Sequence, residues 1–176
     1  MRKFLIVGGV TLVLLVGIWF GVGAALPSEY EVTRSIEIAA PAEKVYQLVG
    51  HLDRWPEWTA WNVEKYPDIV YAYPGAREGT GAIQTWTMEA GAGRLEITSA
   101  ETTRGIAYDL SFDEEAFHSV GIISFDAKPG VTMVTWKDKG ELETTTKRWF
   151  GLLLDTLMGP QFEEGLATLK KKVEGG

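Results

Sequence analysis

The pattern of apolar and polar positions divides the chain near residue 26. From Phe4 to Leu26 it reads FLIVGGVTLVLLVGIWFGVGAAL, 23 residues without a charge. Crossing a bilayer core takes about 20 apolar helical residues. Beyond this run the pattern changes to alternation. In 30–40 (YEVTRSIEIAA), Val32, Ile36 and Ile38 share one parity while Thr33, Ser35 and Glu37 share the other, which predicts a strand. In 41–52, Val45, Leu48, Val49 and Leu52 fall at helical spacing behind Pro41, a residue suited to a first turn. Short alternating stretches follow at 69–73, 82–89, 93–101, 106–112, 118–127 and 131–142, separated by Gly-rich turns such as PGAREGTG (74–81) and KPG (128–130). At the end, Phe162, Leu166, Leu169 and Val173 form one stripe of an amphipathic helix. Gly159-Pro160 should start or kink that helix, with 148–158 adding a turn or two before it. One strand, two helices, six strands and one long helix predict an α+β domain, an antiparallel sheet with helices on one face.

The flanks of the apolar run set an orientation. Arg2 and Lys3 precede it, and Glu29 and Glu31 follow it. This predicts residues 1–26 as a single-pass transmembrane anchor with a cytoplasmic N-terminus, Trp19 and Phe20 near the outer interface, and residues 27–176 as one domain on the extracytoplasmic side of the cell membrane. The alternative is a cleaved signal peptide, with small residues at Ala24 and Ala25. Its apolar region exceeds the usual ~7–15 residues, and it delivers the domain to the same side.

Charge and composition mostly exclude. From residue 27 on, 15 basic residues face 24 acidic ones, which argues against a nucleic-acid partner. The absence of cysteine removes disulfides, thiol catalysis and thiolate zinc sites. His51 and His118, the only histidines, suit no metal or triad spacing and read as surface or turn residues. There is no HExxH and no Gly-x-Ser-x-Gly. The GTG at 79–81 and GAG at 91–93 lack the third glycine of a dinucleotide loop and read as hairpin turns. Asp113 to Glu115 reads as a solvated acidic loop. No metal and no cofactor are expected, and no catalytic residue stands out.

The candidate binding residues are aromatic. In HLDRWPEWTAW (51–61), Trp55, Trp58 and Trp61 lie three apart. They suit a plug at one end of the sheet–helix sandwich, the rim of a ligand mouth, or contact with a membrane interface. Trp86 and Trp136 sit mid-strand, and Tyr71, Tyr108 and Phe112 also fall on strand parities that suit an inner face. Arg34 lies on the apolar parity of the first strand. A buried lone charge is costly, so it needs a partner, a ligand anion, or a path for its head to water. Asp155, inside LLLDTLM, is a possible partner.

The segments RSIEIAAPAEKVYQLV (34–49), the W..W..W run (55–61), GTG…W (79–86), GAGRLEIT (91–98) and FEEGLATLKKKVE (162–174) appear in an order that resembles the START-like, or SRPBCC, superfamily, across about Glu31 to Glu174. Its members carry names such as polyketide cyclase/dehydrase and lipid-transport protein. The resemblance implies the helix-grip fold: a curved antiparallel sheet of about seven strands around a long C-terminal helix. It also implies a hydrophobic cavity between sheet and helix. On that reading Arg34, Trp58, Trp61, Tyr71, Trp86, Tyr108, Phe112, Trp136, Phe162 and Leu166 line a site for a lipid or other hydrophobic small molecule, held without chemistry at the membrane. The alternatives are a cyclase/dehydrase-type enzyme using the same cavity, and an accessory membrane protein whose core is filled. Convergent titratable groups in the interior would favour the enzyme; a closed interior would remove the room for a ligand.

Overall fold

The computed structural model describes residues 2–113 and 117–175, with side chains from residue 11 onward. Glu114 and Glu115 of the acidic loop lie outside the described residues.

Alternation produces the sheet. β1 (Glu29–Ile38), β2 (Val70–Ala72), β3 (Ile83–Met88), β4 (Gly91–Glu101), β5 (Gly105–Phe112), β6 (Phe117–Lys128) and β7 (Val131–Glu141) pair in the order β1-β7-β6-β5-β4-β3-β2. Every pairing is antiparallel. One face buries its alternate residues, for example Val134, Trp136 and Asp138 on β7 and Ser119, Gly121 and Ile123 on β6. Against that face lie α2 (Ala42–Val49), a 3-10 helix (Leu52–Glu57) and α3 (Thr145–Gly175). The described residues thus form the antiparallel sheet with helices on one face that the alternation and the final apolar stripe predict, in the helix-grip arrangement that the family resemblance implies.

The tryptophan run answers its own spacing. Pro56 lies within the 3-10 helix, and the tighter turn brings residues three apart over one another. Trp55 and Trp58 are buried against the sheet, and the Trp55 indole N–H donates to the Val49 carbonyl at 2.9 Å. Of the three readings, the plug describes Trp55 and Trp58.

Two expectations need correction. Gly159-Pro160 does not start the last helix: α3 runs unbroken through both residues. Proline removes one N–H from the ladder, and tertiary contacts hold the helix across the gap. Gly159 lies against β1, where the Arg34 guanidinium rests on it and a Cβ would collide with that group. Arg34 donates to Asp155 at 2.8 Å and Glu163 at 2.6 Å, one helical turn to either side of Gly159. The clamp fastens α3 to the sheet where the proline weakens it.

The second correction concerns the apolar run. It is helical as α1 (Arg2–Ala25). Among the described residues, however, no helix is long and apolar enough to cross a membrane. The expected single-pass anchor, and the localisation built on it, are set aside on that finding. The side chains of Phe4 to Val10 lie outside the described ones. What α1 does show is a contact with the start of α3. Trp19 stacks on Trp149 with ring centroids 4.7 Å apart, and Arg148 donates to the Ala24 carbonyl at 2.9 Å.

Candidate functional site

The predicted ligand residues separate into five places. Trp58, Trp136, Phe162 and Leu166 are each buried to about 1% exposure. The Trp136 and Phe162 rings are parallel at 4.1 Å, with Trp58 at 5.3 Å from Trp136. Trp61 meets both rings edge-on at just over 6 Å. These rings fill the space between sheet and α3 in which a hydrophobic cavity was expected. Tyr71 and Trp86 face one another across β2 and β3, half-buried, with the Tyr71 hydroxyl donating to the Trp61 carbonyl at 2.9 Å. Arg34 belongs to the α3 clamp, so its partners are carboxylates of the protein. Phe112 ends β5 opposite Phe117. Of these residues only Tyr108 hydrogen-bonds to the buried carboxylate described next.

That group centres on Asp138, which sits on β7 one inward position beyond Trp136 and is 1% exposed. Its carboxylate accepts hydrogen bonds from Tyr30 of β1 at 2.7 Å and Ser119 of β6 at 3.1 Å. A weaker one comes from Tyr108 of β5 at 3.5 Å. The Trp136 indole N–H donates to the Tyr108 hydroxyl at 2.9 Å. Four adjacent strands therefore contribute to one buried network. The register explains how: Asp138 is paired with Val32 and Gly121, and Gly121 with Tyr108. Two glycines make the room. A Cβ at Gly121 would collide with the Tyr108 ring, and one at Gly140 would come within 2.6 Å of the Tyr30 ring. Each tyrosine lies flat over its neighbouring strand and aims its hydroxyl at the carboxylate.

Burial decides the electrostatics. Loss of water pushes the Asp138 carboxyl up to about 6, although hydrogen bonds from Tyr30, Ser119 and Tyr108 pull the other way. Burial and the nearby Asp138 charge also raise Tyr30 and Tyr108 well above the ordinary phenol range. Burial thus holds the Asp138 carboxyl above the ordinary carboxylate range, with hydroxyls on both of its oxygens.

Two clefts lie beside residues of the network. Ser119 also lines a cleft of about 370 Å³, with His118, Lys139, Gly140, Glu141 and Lys147 among its walls. Tyr30 lines a second, of about 160 Å³, between β1 and the first turns of α3. Among the described residues no cluster of His, Cys, Asp and Glu is arranged to hold a metal.

Sequence reasoning singled out Arg34 as a charge on an apolar parity and missed Asp138, which satisfies the same criterion among Thr132, Val134 and Trp136. Tyr30, two before Val32, was legible in the same way. Ser119 carried no signal of its own, because its role comes from the pairing of β6 with β7.

The model of the polyketide cyclase/dehydrase and lipid transport family matches residues 29–174. No curated protein matches in sequence. Among solved structures, the chain is similar to DynU16, a protein from the dynemicin biosynthetic locus, at 14% identity and TM-score 0.57. That match covers 82% of this chain and 47% of DynU16, so this chain spans about half of that protein. Ms6760 from Mycobacterium smegmatis is similar at 17% identity and TM-score 0.57, covering 82% of this chain and 91% of the other. A protein from Arthrobacter aurescens is similar at 14% identity and TM-score 0.59, covering 83% and 87%. At these identities the likeness speaks for the fold alone. The family match spans the whole domain from β1 through α3: this chain belongs to the polyketide cyclase/dehydrase and lipid transport family.

Proposed function

We propose that the domain binds a small molecule with a polar group in the cleft lined by Ser119, next to the buried Asp138 network. The supporting observation is the adjacency of a 370 Å³ cleft to a buried carboxyl poised near neutrality. The volume lies in the range of small-molecule sites, whose few polar groups set orientation. The reading favours a compact ligand over a long acyl chain, because Trp136 and Phe162 occupy the space between sheet and helix.

A second reading, catalysis of the cyclase/dehydrase type, is favoured by one specific observation. Asp138, Tyr30 and Tyr108 are three titratable groups converging in the interior. A passive carrier needs only one or two hydrogen-bonding groups there. The accessory-protein alternative draws on the packed aromatic core, and it predicts an empty cleft.

Native mass spectrometry of the full chain, followed by extraction, tests the binding reading. A stoichiometric small molecule that is lost in Ser119→Trp supports it. A clean apo mass, with amide resonances of residues 118–120 and 139–141 unmoved by a small-molecule fragment library, contradicts it.

A further inference from the structure

Between Arg148 and Glu163 the α3 sequence carries one charge, Asp155, and Arg34 holds that carboxylate at 2.8 Å. Phe150, Leu153 and Leu157 recur at spacings of three and four, which places them along one stripe of the helix. They are 48%, 54% and 48% exposed, whereas Leu154, one residue on from Leu153, is buried in the core. Beside this stripe α1 is apolar and exposed around a full turn. Leu12, Val13, Leu14 and Leu15 are consecutive, and each is 58% exposed or more. The Trp19–Trp149 stack joins the two helices, and the Trp149 indole N–H donates to the Trp19 carbonyl at 3.3 Å. Exposed apolar surface on this scale marks a site of contact.

We propose that the first turns of α3 are a docking face for a lipid surface, with Phe150, Leu153 and Leu157 seated among the acyl chains. Two observations select lipid over a protein partner. A partner chain covers one side of a helix, whereas α1 beside this face is exposed on every side, and a fluid apolar phase closes around all of it. The face also lacks a free charge to set the register of a protein partner, because Asp155 is already paired with Arg34. The Trp19–Trp149 pair lies next to Arg148, where the apolar face gives way to the polar domain, and tryptophan favours that depth of a bilayer. Contact at the surface needs no helix that crosses the bilayer. From position 27 on, 15 basic residues face 24 acidic ones, so neutral headgroups suit this chain better than anionic ones.

The chain has no cysteine, so single-cysteine variants of the full chain report position by position. Leu153→Cys, labelled with a polarity-sensitive NBD fluorophore, is mixed with phosphatidylcholine vesicles. Ser124→Cys on the exposed face of β6 and Val13→Cys on α1 are labelled and mixed in the same way. The inference predicts a blue shift and a rise in emission of about twofold or more at 153, with no change at 124. Leu157→Asp, at an exposed position one turn away, should remove most of the response at 153. A response at 13 with none at 153 overturns the inference, because α1 alone then meets lipid. A rise at 153 that needs no vesicles and grows with protein concentration also overturns it, and makes the occupant a second copy of the chain. Silence at all three positions overturns it as well.

Discussion

Trp136 and Asp138 are two residues apart on β7 and face the same interior, yet their surroundings handle burial in opposite ways. Around Trp136 the problem is volume. Trp58, Trp61 and Phe162 pack against it at aromatic distances, and the Trp58 indole N–H is buried with no hydrogen-bond partner. Apolar area offsets that loss, since such rings each bury roughly 150–250 Å². Around Asp138 the problem is charge. Both carboxylate oxygens are met by hydroxyls from three other strands, and glycines replace side chains where the tyrosine rings cross. Tyr108 joins the two regions, touching Trp55 edge-on at 5.5 Å and reaching Asp138 with its hydroxyl. The first region holds the fold. The second holds a buried titratable carboxyl inside a network of hydroxyls.

Substitutions at the two residues should separate these roles. The largest effect is expected from Trp136→Ala. It removes the central ring of the stack and should cost about 4 kcal/mol in urea denaturation. A loss below about 1 kcal/mol would mean the rings are not the core.

Next comes the pH dependence set by Asp138. Its folded-state value of about 6 lies above the ordinary carboxylate value near 3.8. Protonation therefore favours the folded state. The contribution is fully present below about pH 4 and is lost as pH rises through about 6, a change on the order of 3 kcal/mol. Denaturation at pH 4 and pH 8 checks it. The wild type should be less stable at pH 8 by a margin that Asp138→Asn largely removes, whereas an equal dependence in both proteins would place the titration elsewhere.

Gly121→Ala should cost about 2 kcal/mol, because its methyl meets the Tyr108 ring and two backbones fix the spacing. The same change should move the Tyr108 ring resonances more than those of Trp58, which confines the damage to the polar region. The smallest effect is expected at the clamp. Asp155 is well exposed, and its carboxyl is held below the usual range by the hydrogen bond from Arg34. Asp155→Ala should lower the denaturation midpoint least of these changes, and less still in high salt.

The regular parts of the molecule were legible because they depend on neighbours in sequence. Alternation in 30–40 and 131–142 marked β1 and β7, and the Phe162–Val173 stripe marked the buried face of α3. The possible Arg34–Asp155 pair was visible as two charges on apolar ground, and the structure joins them. The continuity of α3 through Pro160 was hidden, because the clamp that secures it comes from β1. The Asp138 network was hidden for a related reason. Its members stand at 30, 108, 119 and 138, and only the strand order brings them together. The aromatic residues were recognised as inward-facing, but whether they line a void or fill it depends on ring packing, which no periodicity encodes.

A carbon-13 NMR titration of the Asp138 side-chain carboxyl in the full chain reads the state of this buried group. A midpoint near 6, with the Tyr30 and Ser119 resonances moving in step, is the predicted result. A midpoint near 4, in the range of a solvated aspartate, would contradict it.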